Sequence, residues 1–310
     1  MNTAKTDPKA TLIGMSAVAL WGSMVGLLAK VSSLFGATLG VALVYSVSAL
    51  LLLAMFRVPS LAKVSKRFLL ISTLLFVAYE LCFSLAVAHA QSAEQAIEVS
   101  LLNYLWPCFT IVALVLCREL KFSMGVLIGL GVCIYGVMYV QGGGLSLSSL
   151  LANAAQNPLS YALAFIGAII WAVYCAVVRV MGVGQNLIAL YFVATAFTLW
   201  LLYAFGASAD GGLLASFAKL QSSGLLWTAI GHLLAAGLAI GLGYGVWNYG
   251  ILHGNAAATV VASYFTPVLS SLIAALLLSA SLTAEFWLGV VLVSAGSLIC
   301  YVATKERKTA

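Results

Sequence analysis

The sequence predicts an all-α integral membrane protein with ten transmembrane helices, built as two inverted five-helix repeats around a central cavity. Three observations predict it. The chain is 64% hydrophobic and only 7% charged over 310 residues, with a mean hydropathy of +1.13, whereas soluble domains carry roughly 25% charge. Its apolar residues fall in long continuous runs, as spanning helices require, rather than in the short alternating segments of a barrel. Finally, the two halves repeat each other. Pro8 and Trp21 recur 150 positions later as Pro158 and Trp171, and Tyr104, Pro107, Gly129 and Gly136 recur 160 positions later as Tyr264, Pro267, Gly289 and Gly296.

Ten spans follow in order, at about residues 9–33, 37–56, 67–89, 93–117, 122–141, 159–181, 186–206, 223–251, 254–279 and 283–304. Asp7-Pro8 and Asn157-Pro158 are matching helix starts, each a capping side chain followed by a first-turn proline. They open the first helix of each half. Residues 1–141 form the first repeat, 142–157 a charge-free linker rich in Gly and Ser, and 158–310 the second repeat. A polar loop around Phe205–Ser222 accounts for the drift in offset. The short polar start runs directly into a full-length span and reads as a retained first helix.

With both termini in the cytoplasm, Lys5, Lys9, Arg57, Lys63, Lys66, Arg67, Arg118, Lys121, Arg179, Lys305, Arg307 and Lys308 lie inside and only Lys30 and Lys219 outside, twelve against two. The net charge of +6 therefore marks a membrane face and no nucleic-acid surface. Five spans per half is an odd number, so the second half enters the bilayer upside down. That is a plan of secondary transporters, with the binding site between the halves.

The fourth and ninth spans carry the best local signal. Pro107 and Pro267 lack an N–H, which leaves the carbonyls of Asn103 and Ser263 without helical partners. Both prolines are candidate hinges. Asn255, Thr259 and Ser263, and Gln95 with Asn103, line one face of each helix at four-residue spacings or multiples of them. They either line a cavity or serve as interhelical glue. Glu80 lies 13 residues past Arg67, about 20 Å into the membrane at about 1.5 Å per residue. It either couples protons, binds an amine or is a satisfied structural carboxylate. Glu98, a turn from Glu94 near the outer end of the fourth span, can hold an ammonium group or form a hydrated rim with it. Trp21, Tyr79, Tyr104, Trp171, Trp247 and Tyr264, with Asn248, supply rings and an amide to a ligand, or pack. Gly237, Gly241 and Gly245 form a ladder for close helix approach.

The six cysteines sit in apolar runs and read as packing residues. His89, His232 and His253 have no metal-ligand spacing, and no cofactor or metal is expected. The only aspartates are Asp7 and Asp210, outside the spans, which excludes an intramembrane aspartyl protease. No H-E-x-x-H, G-x-S-x-G or P-loop is present, so no enzyme is expected.

The stretch Gly250–Val302, GILHGNAAATVVASYFTPVLSSLIAALLLSASLTAEFWLGVVLVSAGSLICYV, resembles the C-terminal part of an EamA repeat. So does Leu85–Val140, with LAVAHAQSAEQAIEVSLLNYLWP followed by CRELKFSMGVLIGLGVCIYGVMYV. The chain thus resembles the drug/metabolite transporter superfamily, and within it the YddG-type aromatic amino-acid exporters of bacteria. One departure is visible. The family often has Gly-Glu-Arg/Lys-Leu after the proline helix; Arg118-Glu119-Leu120 keeps the acid and Ser279-Ala280-Ser281-Leu282 loses it. The resemblance implies a ten-helix basket that exports amino acids or related metabolites across the inner membrane, with either proton exchange or facilitated efflux. Alternating access by a monomer is expected, with Trp21, Tyr79, Glu80, Glu98, Asn103, Tyr104, Trp171, Trp247, Asn248 and Tyr264 around the substrate. The same acids and aromatics suit a multidrug or cationic-compound effluxer, and a membrane scaffold or enzyme is the third reading.

Overall fold

In the computed structural model the described residues are 7–55, 61–119, 122–142, 152, 154–182, 186–206, 212–254, 259 and 262–304. Their helices are α1 (Pro8–Phe35), α2 (Ala37–Met55), α3 (Lys66–Ala88), α4 (Ala93–Asn103), α5 (Trp106–Leu116), α6 (Met124–Gly142), α7 (Pro158–Met181), α8 (Ile188–Gly206), α9 (Gly212–Ser222), α10 (Leu226–His253), α11 (Thr266–Leu278) and α12 (Ala284–Thr304). Eight segments are long and apolar enough to cross a membrane, counting Ala93–Leu116 as one. With α6 and α11, the described residues supply ten apolar passages. Large side chains such as Leu276 (74% exposed) and Leu50 (68%) cover the outer surface, which only lipid can solvate.

The helix starts follow their local chemistry. Asp7 caps α1 by accepting from the Lys9 N–H at 2.9 Å, and Asn157 caps α7 by accepting from the Ser160 N–H at 3.3 Å. Pro8 and Pro158 occupy the first turn, where a missing N–H costs nothing.

Helix packing obeys a two-fold relation. α1 packs on α10 as α7 packs on α3, and α1 packs on α11 as α7 packs on α5. The mates α2 and α8, and α6 and α12, pair with each other. At the α6–α12 crossing the repeat-related glycines exchange partners: Gly129 faces Gly296, and Gly136 faces Gly289. A Cβ on Gly296 would sit 2.6 Å from the Gly129 carbonyl oxygen. Small residues are what let two backbones come this close in lipid, where apolar burial alone gives no drive to associate. Cys108, Cys133 and Cys300 meet beside this crossing, with Sγ separations of 3.0 and 3.2 Å from Cys108. The glycine ladder of α10 works in the same way, Gly237 and Gly241 lying against α2 at Val47 and Ser48.

Two expectations need correction. The segment read as a polar loop after α8 contains a helix, α9. Leu213, Phe217 and Leu220 recur at helical spacing, Phe217 packs on Phe35 (5.4 Å between centroids), and Leu220 is buried. The break in the fourth passage also precedes its proline. It falls at Tyr104–Leu105, where the Leu105 N–H reaches back only three residues to Leu102. Pro107 then sits in the first turn of α5, and Pro267 likewise in α11 after Tyr264–Phe265. Each proline so occupies the one part of a helix that tolerates it.

Candidate functional site

Between the halves lies a cavity of about 880 Å³. Its walls are mostly rings. On α7 the lining positions are Trp171, Tyr174, Cys175, Val178 and Arg179, with the capping Gly182 after them. Successive steps are three and one, so positions recur at three and four residues, which is one face of a helix. Trp171 stands at the centre, with ring centroids 4.4 Å from Tyr79 and 4.9 Å from Tyr174. Across the cavity, Trp21 packs at 5.3 Å from Tyr244 and 5.1 Å from Trp247. Tyr244 lies between the two repeat-related tryptophans, 6.3 Å from Trp171. These stacked, tilted and edge-on pairs hold the rings against one another and leave π-faces for a planar guest.

The cavity reaches one end of the bundle. Phe68 at the start of α3, Arg179 and Gly182 at the end of α7, and Asn186 and Leu187 before α8 line it there. Asn248 of α10 donates to Asn186 Oδ1 at 3.2 Å. The far end is tied shut by polar contacts between the halves. Asn157 Nδ2 donates to the His89 carbonyl (2.9 Å) and to Gln95 Oε1 (2.8 Å), and the Tyr161 hydroxyl donates to Glu98 (2.7 Å).

Of the candidate residues, Trp21, Tyr79, Asn103, Tyr104, Trp171, Trp247 and Asn248 meet at this cavity. Glu80, Glu98 and Tyr264 are not among its lining residues. Glu80 is completely buried behind the wall. Its carboxylate accepts from the Tyr45 hydroxyl and, at 2.6 Å, from the Tyr244 hydroxyl. Tyr45 spends its one proton on Glu80, so Ser84 Oγ is the donor in the 2.7 Å contact between those two hydroxyls. Glu80 thus ties α2, α3 and α10 together, which satisfies a carboxylate that lipid could not solvate. Glu98 faces Tyr161, and Tyr264 packs on Tyr301 at 5.7 Å.

Of the polar stripes, Asn103 lines the cavity while other members turn inward on the protein. Thr259 lies against α1 at Gly14, and Gln95 accepts from the Gln91 N–H as well as from Asn157. This is the glue reading of such residues. Asn255 lies outside the described residues. Sequence reasoning missed Phe76, Trp106, Tyr174, Arg179, Asn186, Tyr191 and Tyr244. The spacing from Trp171 to Tyr174 and Arg179 carried a readable signal; the others are set by helix rotation, which no local pattern states. Among the described residues no cluster of three His, Cys, Asp or Glu could hold a metal ion.

Comparison with known proteins places this geometry. Residues 158–302 match the EamA-like transporter family. The chain is 42% identical over 305 residues to the aromatic amino acid exporter YddG of Salmonella typhimurium (strain 14028s / SGSC 2262), covering 97% of this chain and 100% of that protein. It is 42% identical over 304 residues to the aromatic amino acid exporter YddG of Escherichia coli (strain K12), covering 97% and 99%. A solved crystal structure 20% identical in sequence shares the fold, with a TM-score of 0.62 over 95% of this chain and 98% of that one.

Proposed function

Because the chain belongs to the YddG-type exporters of the EamA-like transporter family, we propose that it moves aromatic and other apolar amino acids out of the cytoplasm by alternating access. The observation that carries the substrate class is the ring-lined cavity, with Trp21, Tyr79, Trp171, Tyr174 and Tyr244 in its walls. Its volume suits a small organic molecule, for which pockets of roughly 300–1,000 Å³ are usual. Rings already locked against each other lose little entropy when a guest ring stacks on them.

The open end carries Arg179 and lies near Arg118, whose neighbour Glu119 pairs with Arg179. By the excess of basic residues at that end, it faces the cytoplasm of a bacterial inner membrane, with both termini on the same side. The conformer is then inward-open, and a monomer holds a whole pathway between the repeats 1–141 and 158–310. Export requires the clasp at Gln95, Asn157 and His89 to part as the mouth closes. The breaks before Pro107 and Pro267 are where the fourth and ninth passages bend in that exchange.

A multidrug exporter of cations is the second reading, since rings also attract cations. It is disfavoured by the positions of Glu80 and Glu98, both engaged by tyrosines and away from the cavity. Proteoliposomes loaded with labelled phenylalanine, tryptophan, alanine or a quaternary amine test the choice. Phenylalanine and tryptophan should leave faster than from empty-bilayer controls, and Trp171→Ala should raise their half-saturation at least about tenfold. Equal rates with and without protein for every amino acid would end the reading.

A further inference from the structure

We propose that Arg179 is a specificity-determining residue that admits ring compounds by their carboxylate, holding that group at the mouth of the cavity. This deepens the export reading and rests on it.

An arginine in the last turn of a helix is ordinary, since it complements the helix dipole and marks the cytoplasmic side. Three observations set Arg179 apart. It stands on the cavity face of α7, eight residues past Trp171 and five past Tyr174. At about 1.5 Å per residue, Arg179 is about 7.5 Å along the axis from Tyr174. A long side chain closes that gap, so a guest whose ring lies on Tyr174 presents its head group to the guanidinium. Second, among the described lining residues Arg179 is the only one with a formal charge. No acidic residue is among the described lining residues to draw a cation into the cavity, and the charge that faces it is positive.

Third, the guanidinium is oriented by a built turn. α5 ends at Leu116, Cys117 caps it and Arg118 follows in the left-handed region (φ 61°). The Glu119 N–H bonds back to the Leu114 carbonyl at 2.9 Å and the Arg118 N–H to Val115 at 3.0 Å, a Schellman ending. This places the Glu119 carboxylate where it accepts from Arg179 Nε at 3.3 Å. The bond uses Nε alone. The two terminal nitrogens, which donate to no other described residue, remain a fork of the shape that takes a carboxylate in two parallel bonds. The side chain is 70% exposed, so the carboxylate can reach it from water without a large desolvation cost.

The test uses the full-length protein in proteoliposomes with two probes, phenylalanine and phenethylamine, which keeps the ring and amine but lacks the carboxylate. Wild type should favour phenylalanine. Arg179→Gln should raise the half-saturation of phenylalanine about fivefold, the size of an exposed ion pair, with its maximal rate retained and phenethylamine flux unchanged. Arg179→Lys should recover part of the loss. Glu119→Ala, which removes the acceptor that orients the guanidinium, should show a smaller rise for phenylalanine alone. An Arg179→Gln protein that slows both probes equally, or neither, overturns the inference while export stands. A wild type that moves neither probe nor any other amino acid overturns the export reading and this inference with it.

Discussion

After Pro107 and again after Pro267, the chain runs through one short helix and stops in the same turn. In the first half Arg118 takes the left-handed conformation (φ 61°) and the next N–H bonds back five residues to Leu114. In the second half Ser279 does so (φ 56°) and the Ala280 N–H bonds back five residues to Ala275. The backbones match; the side chains do not. Glu119 holds Arg179 at the mouth of the cavity, while Ala280 stands in the corresponding place. The same divergence recurs at the breaks, where Tyr104 lines the cavity and its mate Tyr264 packs on Tyr301. Trp21 and Trp171, by contrast, do the same job in both halves, on either side of Tyr244. Duplication therefore preserves what the backbone needs, the caps, breaks and glycine crossings. A cavity open at one end places each pair of mates in unlike surroundings.

The comparison can be broken most forcefully at its axis. Gly296→Ala puts a Cβ 2.6 Å from the Gly129 carbonyl and 2.7 Å from the Cys133 nitrogen, both backbone atoms. A loss of about 3 kcal/mol or more is expected, since overpacking has nowhere to relax. Gly131→Ala on the facing helix α6 meets nothing within 4 Å and should match or slightly exceed wild type. Melting temperatures in one detergent compare the two, and equal values would refute the tight crossing.

Next comes the brace behind the cavity. Glu80→Ala leaves the buried hydroxyls of Tyr45 and Tyr244 without their acceptor, at roughly 1–3 kcal/mol for each group so stranded. Flux should fall at least about tenfold because Tyr244 loses its position between the tryptophans. Glu80→Gln keeps an acceptor and should retain more. A Glu80→Ala protein with normal half-saturation for phenylalanine would show that Tyr244 needs no such support.

The mates at the breaks give a sharper contrast. Tyr104→Ala should raise half-saturation several-fold, as losing one wall ring would, whereas Tyr264→Ala should lower the melting temperature and leave half-saturation within about twofold. A reversed pattern would mean that the second half supplies the site. Asn157→Ala loses a helix cap, worth about 1 kcal/mol, and both bonds that close the far end. It should make that end more reactive to a thiol reagent at an introduced cysteine, with no such change from Asp7→Ala, the repeat-related cap. The smallest effect is expected at the matched turns. Ser279→Gly relieves a left-handed residue and should stabilise by up to about 1 kcal/mol.

Much of the architecture was legible because membrane solvation imposes its pattern locally. Each long apolar run had to be a helix, and the two proline caps and the repeated glycines announced the duplication before any coordinates. The site was legible in part. Trp21 and Trp171 were found by their repetition, and Tyr79, Tyr104 and Trp247 by their depth. Glu80 stood out as an acid within the membrane, and of the roles open to it the satisfied structural carboxylate is the one its tyrosine partners on α2 and α10 match. Tyr244 sat unnoticed inside a glycine-rich stretch, because its importance depends on the carboxylate of another helix.

By itself, then, the sequence determined the solvent of this protein, its spans, its two-fold plan and the places where helices must break, since all of these are local consequences of hydropathy, proline and glycine. Only the tertiary structure decided which mate of each pair faces the cavity, that Glu80 and Glu98 are taken by tyrosines, and that Arg179 alone brings charge to the described wall. Facing is a matter of how each helix is rotated against its neighbours, and that rotation is set by contacts between residues far apart in the chain.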